Sequence, residues 1–69
     1  MKTIRLKTEF IKLDQLLKLA DIAGSGGEAK GMILEGLVTV NGEPELRRGR
    51  KLYAGDRAET AGETIRVVK

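Results

Sequence analysis

The densest chemistry in this chain is a run of cations, since four of the five residues Arg47-Arg48-Gly49-Arg50-Lys51 carry positive charge. An arginine fork can grip a phosphate bidentately and stack on an unpaired base, and a lysine adds a flexible point charge, so such a run suits a polyanion. The total charge says less: 13 Lys and Arg against 10 Asp and Glu leave only +3. Its distribution says more, because Leu52 to Thr64 holds one cation, Arg57, and three acids. A short basic cluster taken alone reads as a solvated loop, so an anion-binding reading needs further groups beside it. Ser25-Gly-Gly-Glu28-Ala-Lys30 offers one, a helix start whose small residues leave backbone amides open to a phosphate, although Glu28 would compete there.

Catalysis is not expected. The chain has no His to work as a base near neutral pH and no Cys nucleophile. A P-loop is excluded as well, because that loop needs glycine before its lysine and Ser or Thr after it, where Ala29 and Gly31 flank Lys30. No cofactor, metal or small-molecule substrate is expected from this inventory. The start of the chain, Met1 to Thr8, alternates charged and aliphatic residues without an apolar signal core. No stretch approaches a membrane span, and a cytoplasmic location with no membrane partner is expected.

These groups must be positioned by one small fold, because 69 residues allow a single domain, 1–69, stabilised by aliphatic packing without disulfide or zinc. Thr3 to Leu6 alternates as a short strand does. Thr8 reads as the N-cap of a first helix, with Phe10 stapling it and Leu13, Leu16, Leu17 and Ala20 forming its buried stripe, closed by Gly24 or the loop after it. Ser25 and Glu28 form an S-x-x-E capping box for a second helix that buries Ala29, Met32, Ile33 and Leu37 and ends at Gly36. Val38 to Val40 then runs into Asn41-Gly42, a type I′ hairpin signal, and Pro44 confines the returning arm to a sheet edge. Arg57 to Thr60 and Thr64 to Val68 supply further strands, joined through Ala61-Gly62-Glu63. The fold class is α+β.

The ordered string Lys12-Leu13-Asp14, Leu17, Ser25, Glu28-Ala29, Ile33, Gly36, Val38, Val40-Asn41-Gly42 and Gly55-Asp56 resembles the RNA-binding domain named for small-subunit ribosomal protein S-four, the alpha-L motif. The likeness covers about Ile11 to Ala58 and is strongest to a small stand-alone bacterial subgroup. It implies two helices packed on a small, strongly bent, mainly antiparallel sheet of about four to five short strands. It also implies structured RNA, ribosomal or transfer, bound along the helical face and adjacent loop, with roles in ribosome assembly, translation or its quality control. Carried over by position, Lys12 matches the cation opening the first helix, Ser25 the residue starting the second, and Lys30 a cation on that helix. Gly26 stands where an arginine is common, and the basic run can compensate.

The expected RNA-binding set is therefore Lys12, Ser25, Lys30, Arg47, Arg48, Arg50 and Lys51, in which the cations form a convex surface tracking phosphates by shape. Aromatic stacking is expected to add little, because Phe10 and Tyr53 are the only aromatic residues, Phe10 reads as a helix staple, and Tyr53 is open between packing and base contact. An alternative reading is a small protein-interaction module on a translation or ribosome-associated complex, using the edge near Pro44 or apolar surface around Leu19, Ile22 and Leu34.

Overall fold

A computed structural model describes all residues, Met1–Lys69. The chain forms β1 (Lys2–Arg5), β2 (Ile11–Lys12), α1 (Leu13–Leu19), α2 (Gly26–Leu34), β3 (Thr39–Val40), β4 (Glu43–Pro44), β5 (Lys51–Leu52), β6 (Arg57–Thr60) and β7 (Glu63–Val68). Five strands make one sheet in the order β1-β7-β6-β3-β4, and β2 pairs with β5 in a separate two-stranded ribbon. Every pairing is antiparallel except β1 with β7, where Ile4 lies opposite Val67 in parallel register. That parallel pair joins the first and last strands. Pro44, which has no amide to donate, lies on edge strand β4, as its chemistry requires.

One core lies between the helix pair and the sheet. Leu13, Leu16 and Leu17 of α1 meet Ala29 and Ile33 of α2, with Val38, Val40, Leu52, Ala58, Ile65 and Val67 behind them. The helical spacing expected from the sequence is observed for both stripes, with one exception. Leu37 is 55% exposed, because the helix ends before it and Gly36, at φ +77°, turns the chain away.

Helix α1 differs at both ends from the sequence expectation. It starts at Leu13, and Lys12 takes the N-cap position without a side-chain cap. Thr8 lies four residues upstream, where its hydroxyl donates to the Phe10 carbonyl. The other end is turned by Asp21 at φ +61°, one of the few residue types that tolerate the left-handed region, and Gly24 is not needed for it. Helix α2 follows the sequence more closely: the Ser25 hydroxyl accepts from the Glu28 amide at 3.1 Å, the first half of a capping box.

The Asn41-Gly42 turn has both φ values positive, +51° and +88°, as type I′ requires. Asn41 does a second job. Its side-chain oxygen accepts from the Arg57 amide and its nitrogen donates to Asp56, whose other oxygen accepts from the Tyr53 amide. The turn between β3 and β4 is thereby fastened to the turn that precedes β6. Asn41→Ala is expected to lose both side-chain bonds in a strained backbone conformation, costing about 1–3 kcal/mol. Urea unfolding of the two proteins checks this, and an unchanged midpoint would refute it.

Candidate nucleic-acid interface

The basic run lies in the loop between β4 and β5, and that loop is folded back on the start of α1. The Arg50 carbonyl accepts from the Leu13 amide at 2.8 Å, and the Arg48 carbonyl accepts from the Asp14 amide at 3.1 Å. Two of the orphan donors at the helix N-terminus are thus satisfied by the loop backbone, which replaces the missing side-chain cap. The same two bonds set the loop's side chains beside Lys12. Residue pairing across the β2–β5 ribbon sets Lys12 directly opposite Lys51.

The loop is closed by one acid that the sequence reading passed over. Glu45 is buried, and its Oε2 accepts from both the Arg47 amide, at 3.1 Å, and Arg47 Nε, at 3.0 Å. Its Oε1 accepts from Arg47 Nη2 at 3.2 Å and from Arg50 Nη1 at 2.6 Å. Four charge-assisted or backbone bonds converge on one carboxylate. The hydrogen bond from the Arg47 side chain is the largest influence and, with Arg50 and the Arg47 amide, overcomes the opposing effect of burial to hold the Glu45 carboxyl down at about 2. The Arg47 guanidinium is pushed up in turn by the hydrogen bond to Glu45. A sequence cue existed: Glu45 is the one acid between Pro44 and Lys51, two and five residues ahead of the arginines it binds.

The seven expected residues are therefore placed unequally. Lys12, Arg47, Arg48, Arg50 and Lys51 are brought together by the ribbon and the loop. Arg47 and Arg50 are tied to Glu45, though the Arg47 side chain remains 75% exposed. Lys12, Arg48 and Lys51 are exposed and have no ion-pair partner. Over Lys12, Glu45 and Arg47–Lys51, five cations and one carboxylate leave four net charges. Ser25, the N-cap of α2, and Lys30, midway along that helix, take no part in these hydrogen bonds and ion pairs; both are exposed, and the Ser25 hydroxyl already serves as the cap acceptor. An open cleft of about 480 Å³ on the loop is lined only by Arg47, Gly49, Arg50 and Lys51.

Phe10 packs beside the cationic ribbon. It is half-buried, with the Lys51 ammonium 4.8 Å from its ring centroid and the Tyr53 ring 6.0 Å away at a tilt of 54°. The two aromatic residues flank the cationic ribbon instead of sitting inside the core. Leu19 and Leu34, the apolar groups of the alternative reading, are 65% and 57% exposed, whereas Ile22 packs against the core.

A two-helix layer on a bent sheet, with a cationic loop capping the first helix, is the form of a small RNA-recognition domain, and the chain belongs to the S4 domain family, whose model matches residues 4–68. Among individual proteins, it is 56% identical over 59 residues to RlbA of Bacillus subtilis (strain 168), named a probable ribosome maturation protein; the match covers 86% of this chain and 83% of that protein. It is 40% identical over 62 residues to YbcJ of Escherichia coli (strain K12), covering 90% of this chain and 89% of the relative. The solution structure of Escherichia coli YbcJ, described as an αL motif involved in RNA binding, superposes with a TM-score of 0.77 over 100% of this chain and 89% of that one. The expected family and α+β architecture are both observed.

The Glu45 clamp has a pH dependence of definite sign. Its folded value of about 2 lies below the ordinary 4.5, so its contribution to stability is complete above about 4.5 and is lost as pH falls toward 2. Unfolding free energy measured across that window should decline less steeply for Glu45→Gln than for the wild type. Equal slopes would show that the clamp contributes nothing to the acid limb.

Proposed function

We propose that this chain is an RNA-binding protein that grips the phosphates of a folded RNA, ribosomal RNA foremost, through Lys12, Arg48 and Lys51 with support from Arg47 and Arg50. Lys30 and Ser25 extend the contact along α2. The observation that carries the reading is the placement of Lys12 opposite Lys51. Like charges directly across an antiparallel pair are unfavourable, and here Arg48 and Arg50 are held near them, with Glu45 the carboxylate that forms ion pairs in the group. An approaching phosphate relieves that repulsion. The names of the relatives, ribosome maturation and RNA binding, agree with it and point to ribosome assembly in a bacterial cytoplasm as the setting.

Recognition would be by shape. Phosphate contacts fix register without reading sequence, and the deep, narrow major groove of an A-form duplex keeps its base edges out of reach of side chains. No catalytic step is assigned, because the one carboxylate of the site is clamped by Arg47 and Arg50.

Neutralising about four phosphates gives a log affinity that falls with log salt at a slope of roughly −3 to −4. The triple variant Lys12→Ala, Arg48→Ala, Lys51→Ala removes three exposed side chains and a like-charge pair, so its fold should persist. Filter binding to purified bacterial ribosomal RNA should show that slope shrink by about 2–3 and the affinity drop at every salt concentration. A folded triple variant with undiminished affinity would sink the assignment.

A further inference from the structure

A second surface adjoins the cationic loop and is built differently from it. The segment between β1 and β2 folds over the start of α1 and leaves a cleft of about 360 Å³, within the range of roughly 300–1,000 Å³ typical of small-ligand sites. Arg5, Lys7 and Lys12 line it alongside Phe10, Leu19 and the Gln15 side chain, and no carboxylate is among its walls. Arg5 Nη1 donates to the terminal main-chain oxygen of Lys69 at 2.6 Å. Leu19 is 65% exposed there, a large apolar side chain left in water on a helix whose other leucines are fully buried.

We infer that this cleft receives one unpaired nucleotide of the bound RNA, its base against Phe10 and Leu19 and its phosphate among Arg5, Lys7 and Lys12. The inference rests on the RNA-binding reading and adds a pocket to it. Three features select a nucleotide. An aromatic and aliphatic wall suits the face of a base, and such stacking tolerates any base. Lys7 and Lys12, with no Asp or Glu among the lining residues, suit the phosphate joined to it. Gln15 supplies an amide that can both donate and accept at a base edge. Continuity with the loop is direct, because Lys12 belongs to both surfaces and Lys51 stands over the Phe10 ring. A duplex gripped by the loop would therefore have to present a bulged or terminal nucleotide at the cleft.

The test uses the full chain and two RNA hairpins of equal stem, one carrying a single bulged adenosine and one fully paired. Wild-type protein should prefer the bulged hairpin by about five-fold or more. Gln15→Ala, at an exposed position, should bring that ratio toward one while leaving affinity for the paired hairpin unchanged, whereas Phe10→Leu, which also removes the ring beneath Lys51, should bring the ratio toward one and weaken both hairpins. In amide NMR spectra, adenosine 5′-monophosphate should shift Lys7, Phe10, Gln15 and Leu19, and ribose 5-phosphate should not move Phe10 or Leu19. Equal binding of both hairpins, or equal shifts from the two small probes, would overturn the nucleotide pocket and leave the phosphate-gripping loop standing. Failure of both hairpins to bind at low salt would overturn the pocket together with the RNA reading beneath it.

Discussion

The arrangement of this surface depends on one carboxylate. Three arginines and a lysine in five residues repel one another, and a loop of that composition has no internal reason to hold a shape. Glu45 supplies it by accepting from the Arg47 amide, the Arg47 side chain and Arg50 at once. Once Arg47 and Arg50 are fixed, the carbonyls of Arg48 and Arg50 fall over the first amides of α1, and the helix is capped by the loop it displays. Glu45 is itself anchored, since its amide donates to the Val38 carbonyl inside the core region. The order of dependence runs from core to acid to loop to helix start, so a surface feature rests on a buried one.

Capping α1 by carbonyls has a consequence for binding. The amides of Leu13 and Asp14 are occupied, and α1 cannot offer them to a phosphate. Under the proposed function, affinity at this end of the molecule comes from side chains and not from helix amides. The ribbon of β2 and β5 then sets Lys12 against Lys51, a pairing that weakens the free protein and is tolerable because the Phe10 ring accepts the Lys51 ammonium on its face. Helix α2 is the reverse case. Its cap is a serine hydroxyl that accepts from Glu28 and still has a proton to give.

Much of the fold was legible in the sequence because its local signals agree with its tertiary structure. The Asn41-Gly42 turn, the Ser25 cap, the Gly36 terminator, the edge position of Pro44 and the two aliphatic stripes each have a local physical cause that survives folding. The start of α1 was misplaced because its cap comes from residues more than thirty positions later, and no window around Thr8 contains that information. The parallel pairing of β1 with β7 was hidden for the same reason, being a contact between the two ends of the sequence. For the site, charge density pointed to the loop. It could not reveal that Glu45 would subtract from it, because an acid between Pro44 and Leu46 on an edge strand reads as solvated until the fold buries it.

The residues that carry the family likeness are mostly scaffold, which changes what the likeness can say about recognition. Asn41 and Asp56 are spent on each other and on the amides of Arg57 and Tyr53. Leu13, Leu17, Ala29, Ile33, Val38 and Val40 are buried. Of the polar residues in the matching string, Lys12, Ser25, Glu28 and Asn41 are exposed, and the basic loop lies between the matched hairpin and the matched Gly55-Asp56 turn. A shared fold therefore requires the core, the turns and their hydrogen bonds, and under the proposed function the choice of RNA falls to side chains on the loop and along the β1–β2 segment. In this chain those two surfaces meet at Lys12 and Phe10, so a change at either residue alters grip and fit together. Arg48 or Gln15 can change one without the other, and divergence in target among chains of this fold should be sought at such separable positions.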